Sequence, residues 1–171
     1  GLHSEGGPWR FYPALNVDET LPYMLLIGDS VMNGYHNQVI NGLKGIANGD
    51  YWLTPKHLKS DHLSTDLIKI LATQEYSVIQ FNIGLHGWPT GLILPEEYKP
   101  LLKEYVQTIK KQTENSKLIW ASTTPITEKG IAEINKEFKP VSDSRNKSAT
   151  QVIEEKQVNL NDLYKRVKNK L

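Results

Sequence analysis

The 171-residue sequence has no cysteine, which excludes disulfides, thiolate catalysis and cysteine-ligated metal without fixing a compartment. It has almost no net charge. Twenty Lys and Arg against 19 Asp and Glu give +1, so no electrostatic footprint points to nucleic acid or an anionic membrane surface. Long hydrophobic runs are also lacking: the longest reach about five to seven residues, against the ~20 needed to span a bilayer. No membrane partner is therefore expected. Gly1 to Gly7 lack the charged region and apolar core of a signal peptide, though a processed chain would begin the same way. No internal repeat or low-complexity segment is present.

What is present reads as one α/β domain behind an irregular arm. Residues 1 to 22 hold Gly6, Gly7, Pro8, Pro13 and Pro22 and form the arm, whose Trp9, Phe11, Tyr12 and Leu15 are expected to cover apolar area. The domain proper spans 23 to 171. Apolar runs predict strands at 23–28, 45–53, 77–84, 117–122 and 158–160, five in all. Between them, four-residue spacing of Val31, Tyr35, Val39 and Leu43 predicts one helix from 31 to 43. Ser64 is a candidate N-cap for a helix carrying Leu67, Ile68, Ile70 and Leu71. Pro95 opens the clearest helix, to Gln112, with Leu101, Leu102, Tyr105, Val106 and Ile109 as its stripe. Helices are also expected from Ser144 to Lys156 and from Asp162 onward. Alternating strands and helices imply a mainly parallel sheet with helices on both faces, a three-layer α/β/α architecture.

Such sheets carry their chemistry at the carboxyl ends of the strands, and four polar segments are candidates. The run Tyr23 to Ile27 ends in Gly28-Asp29-Ser30. Ser30 there is either a nucleophile with its own N–H facing an oxyanion or the N-cap of the next helix. The run at 77 ends in Asn82-Ile83-Gly84-Leu85-His86-Gly87-Trp88, which could bring His86 to Ser30 or simply contain a structural histidine. Ser122-Thr123-Thr124 could line the same crevice or form a turn. His57 and His62 flank Asp61, but five-residue spacing in a loop lacks the geometry of a metal site. No metal or cofactor is expected.

Taken together, these blocks resemble the SGNH/GDSL hydrolase family, whose fold is flavodoxin-like. Gly28-Asp29-Ser30 matches its first block, and Gly84-Leu85-His86-Gly87 occupies its third, Gly-x-Asn-Asp. The likeness is greatest to a branch of bacterial esterases with a Phe-Asn-x-Gly-Leu-His strand end. Further matches are Leu118 to Pro125, Arg145-Asn146, Val158 to Tyr164 and the lead-in Trp9 to Asn16. The likeness covers residues 9 to 167. It implies ester hydrolysis through an acyl-enzyme on Ser30. The backbone N–H of Ser30 would be one oxyanion donor, and His86 would stand where the family uses asparagine. Gly84, Asn82 and Trp88 are the accompanying oxyanion or binding residues.

The sequence also departs from the family. No glycine lies between Gly49 and Gly84, so the second-block donor expected near Lys59 has no counterpart. The family's closing Asp-x-x-His, which supplies the base, is absent after Asp162. That absence predicts a thinly covered sheet flank. Gly1-Leu2-His3-Ser4-Glu5-Gly6 looks like a remnant of the closing block, making His3 a candidate base if the chain is permuted; a tag-derived or disordered terminus is the alternative.

The leading expectation is a serine esterase or deacetylase acting on a small-molecule or glycan ester, acylated carbohydrate included. The alternative is an impaired or truncated relative that binds a glycan or small ligand, with Trp88 and Trp52 as stacking candidates, or that needs another chain to complete its site. Oligomeric state is left open. A bacterial origin, with a lean to a secreted or periplasmic setting, follows from the resemblance alone.

Overall fold

The elements follow the apolar pattern closely. The computed structural model describes residues 9–88 and 91–171. Its strands are β1 (Phe11–Tyr12), β2 (Tyr23–Gly28), β3 (Asn48–Leu53), β4 (Tyr76–Phe81), β5 (Lys117–Ala121) and β6 (Asn159–Asn161). Its helices are α1 (Ser30–Asn33), α2 (His36–Gly42), α3 (Leu63–Leu71), α4 (Pro95–Gln112), α5 (Lys139–Glu155) and α6 (Leu163–Lys168). Among the described residues the sheet runs β1-β3-β2-β4-β5-β6. Only β1 is antiparallel to its neighbour; the other pairs are parallel.

Both faces of the sheet are covered, as a near-continuous apolar strand such as β2 requires. Leu25, Ile27, Ile79, Phe81, Leu118 and Trp120 pack with the inner faces of α3, α4 and α5. Leu26 and Leu53 pack instead with Met32 of α1, with Val39 and Ile40 of α2, and with Trp9 and Tyr12 of the arm. This is the three-layer α/β/α fold. The chain leaves β2 for β3 on one side and returns to β4 on the other. The β2/β4 seam is therefore the switch point at which a ligand crevice opens beyond the strand ends.

Several local expectations are corrected. The sheet has six strands among the described residues, not five, because Phe11 and Tyr12 pair with Trp52 and Tyr51 and cover what would be an open β3 edge. Leu15 covers nothing; it is 87% exposed. The single helix from 31 to 43 is two, broken where Tyr35 leaves helical geometry at φ −129° and ψ −9°. Gly34 caps the first helix, and glycine is a poor helix former. The helix α3 starts on Leu63 rather than after a Ser64 cap, because His62 takes the cap position at φ +62° with no capping bond. The helix α5 starts earlier, at Lys139, since Pro140 is tolerated in a first turn. At the β5–β6 edge the covering is light. Leu160 is 48% exposed and α6 contributes no buried residue.

Candidate active site

The carboxyl ends of β2, β4 and β5 enclose a small cavity lined by Gly28, Asp29, Tyr35, Asn82, Ser122 and Thr123. At the end of β2, Asp29 caps α1: its Oδ1 accepts the Val31 N–H at 2.8 Å. Asp29, not Ser30, therefore does the capping. Ser30 is exposed, and neither its hydroxyl nor its N–H makes a hydrogen bond among the described residues.

The other oxygen of Asp29 faces His86. Its Oδ2 lies 3.4 Å from His86 Nε2, and both side chains are more than nine-tenths buried. Ser30 and His86 are thus neighbours of one carboxylate, the first in sequence and the second in space. Trp9 closes this side, edge-on to the imidazole with centroids 6.4 Å apart. Tyr35 reaches the cavity through the break between α1 and α2. Burial first, and then the Asp29 charge, pushes its phenol up to about 12. It stays neutral and remains a potential donor.

The turn that carries His86 is held from every side. Asn82 Oδ1 accepts the Gly84 N–H at 3.0 Å, while Asn82 Nδ2 donates to Ala121 O at 2.8 Å and Thr123 Oγ1 at 3.1 Å. Asn82 lines the cavity, but these bonds occupy both its N–H groups. Thr123 is fixed in turn by Asn146, which exchanges two bonds with its backbone. Tyr98 donates to Ile83 O at 3.1 Å, and Arg145 Nη1 donates to Gly84 O and His86 O. Only glycine fits at 84, because a Cβ there would lie 1.9 Å from Thr123 Oγ1. With Thr123 pinned, Gly84→Ala should cost about 3 kcal/mol, lowering the melting temperature by roughly 6–12 °C. Gly42→Ala, where a Cβ meets nothing within 4 Å, should be near neutral in the same melt.

The remaining candidates lie elsewhere. Trp88 packs against Phe138, centroids 4.5 Å apart, over a separate cavity between the starts of α4 and α5. Trp52 is 6% exposed and belongs to the core, so it offers no stacking face in the crevice. His62 is exposed at the start of α3, whereas His57 sits beside Gly87. Burial, followed by the charges of Arg145 and Lys59, pushes the His57 imidazole down. No group of three potential metal-ligating side chains occurs among the described residues. Asp162 caps α6 and accepts from Ser122 Oγ, a structural position. His3 lies outside the described residues.

Sequence reading missed the roles of Asp29, Trp9, Tyr35 and Arg145. For Arg145 a signal existed: it falls with Ser142, Ala149, Val152 and Ile153 on the buried stripe of α5. A cation on such a stripe asks for a reason.

No family model matches the sequence, and no curated protein is significantly similar to it. Solved structures do match in shape. The acetylxylan esterase of Geobacillus stearothermophilus superposes with a TM-score of 0.62 at 16% identity, covering 82% of this chain and 75% of that one. Phospholipase A1 of Streptomyces albidoflavus gives 0.62 at 11%, covering 83% and 79%. A GDSL-like lipase of Parabacteroides merdae gives 0.59 at 18%, covering 81% and 76%. All three are similar in the path of the chain rather than in its side chains. The six-stranded, mostly parallel sheet with its crevice at the β2/β4 seam is the fold of the SGNH/GDSL hydrolases.

Proposed function

We propose that this protein is a serine-dependent carboxylic ester hydrolase with Ser30 as nucleophile. The observation that carries the reading is the division of labour at the end of β2. Asp29 takes the capping bond and faces His86, while the exposed hydroxyl of the next residue, Ser30, makes no hydrogen bond among the described residues. Serine alone is a poor nucleophile near neutral pH and needs a base. The sequence has five histidines; among the four described, His86 is the one that contacts Asp29.

In the proposed reaction Ser30 Oγ attacks the ester carbonyl carbon as its proton passes to His86. The carbonyl π electrons move onto oxygen, and the Ser30 N–H donates to that oxyanion. Asp29 stabilises the imidazolium. As the carbonyl reforms, the C–O bond to the alcohol breaks and the leaving oxygen takes the proton from His86. Water, activated by the same imidazole, then releases the acyl group as a carboxylic acid. His86 thus serves as the base in this reading, rather than standing in for the family's asparagine. Gly84 supports the turn beneath it. Acetylxylan esterases among the structural matches make an acetylated carbohydrate the first substrate class to test.

The test uses p-nitrophenyl acetate together with a fluorophosphonate ester. The expected result is steady-state hydrolysis and one phosphonate per chain, located on Ser30 by peptide mass spectrometry. A chain that neither hydrolyses the ester nor takes up the label at Ser30 is not a serine hydrolase, and the binding-protein alternative then stands.

A further inference from the structure

Arg145 is 4% exposed, yet among the described residues no carboxylate pairs with it. Its Nη1 donates to two carbonyls, those of Gly84 and His86. Its guanidinium lies over the Tyr98 ring, 4.9 Å from the centroid. Its Nη2 is closed off from solvent and makes no hydrogen bond among the described residues. Burying a cation without a counter-charge is costly, and an unsatisfied N–H adds to the cost. Holding a loop carbonyl does not require this. Tyr98 does the same work on Ile83 O with a neutral hydroxyl. Stability alone therefore does not account for a cation at 145.

The two carbonyls lie on the turn that presents His86 to Asp29, and one donor atom bridging both fixes the spacing between residues 84 and 86. We propose that Arg145 is a positioning residue: by gripping Gly84 O and His86 O it sets the turn so that the His86 ring stands against Asp29. The inference rests on the hydrolase reading for its effect on rate, but its structural half can be tested without activity. Removing the grip lets the turn relax, and the ring drifts from the carboxylate. An offset of about 1 Å in a catalytic group can cost on the order of 10²-fold in rate.

The experiment uses the full chain with Arg145→Ala and Arg145→Lys, the latter retaining a charge and a donor should the alanine variant fail to fold. Nitrogen-15 labelled histidine reports the His86 ring, assigned with His86→Gln, while steady-state hydrolysis of p-nitrophenyl acetate reports the chemistry. The expected result is displaced His86 ring resonances in folded variants. It is joined by a fall in kcat of roughly 10- to 100-fold, with KM changed far less. Millimolar methylguanidinium should restore part of the kcat of Arg145→Ala and none of the loss in an Asp29 variant. Unchanged His86 resonances in a folded variant, or a KM effect without a kcat effect, would overturn the proposal. If the wild type does not hydrolyse the ester but the resonances still move, the hydrolase reading fails while the positioning contact stands.

Discussion

Replacing Ser30 with alanine should abolish turnover while leaving the fold untouched. Hydrolysis should fall by at least roughly 10³-fold, since the proposed acyl-enzyme forms on Ser30. Phosphonate labelling should vanish. Stability should hardly move, because Ser30 is exposed and its hydroxyl bonds to nothing among the described residues; surface changes of that kind stay within about 0.5 kcal/mol. A thermal melt beside the kinetic assay separates the two effects. Had Ser30 been the helix cap, the same change would have cost about 1 kcal/mol. A variant that keeps its activity would remove Ser30 as nucleophile.

The second large effect is expected at Asp29, where one carboxylate has two duties on its two oxygens. Oδ1 caps α1 and Oδ2 faces His86. Asparagine caps a helix as well as aspartate does, so Asp29→Asn should melt close to wild type. It carries no charge, however, and cannot stabilise an imidazolium. Turnover should fall by up to about 10⁴-fold, the loss seen when the acid of a serine triad is neutralised. Asp29→Ala should lose both functions, adding about 1 kcal/mol of destabilisation to the kinetic loss. Full activity in Asp29→Asn would detach the carboxylate from catalysis and leave it only the cap.

The layered fold was legible because β2, β4 and β5 are short apolar runs and α4 has an unbroken stripe from Tyr98 to Ile109. Periodicity reports that kind of information directly. The strand-end position of Ser30 was legible for the same reason. The division between Asp29 and Ser30 was not, since either residue type can cap a helix and only geometry assigns the bond. Trp52 misled because alternation along β3 tells which residues share a face, but not which face is the core. The pairing of His86 with Asp29 joins the ends of two strands 57 positions apart in sequence, and nothing local encodes it. In the sequence Arg145 stands out only as part of the Arg145-Asn146 match. Its meaning depends on carbonyls about sixty residues away, which no side-chain pattern reveals.

The two-residue strand β1 has an effect out of proportion to its length. Phe11 packs into one apolar cluster and Tyr12 into the other, so the pair works as a register pin through the plane of the sheet. A slip of one residue would exchange their sides and bury neither ring correctly. Trp9, two residues ahead of Phe11 in this irregular lead-in, meets the edge of His86 because that pin sets the phase of the arm. Indels between residues 9 and 11 should consequently act as mutations of the imidazole's surroundings, although they fall in what reads as a disposable leader.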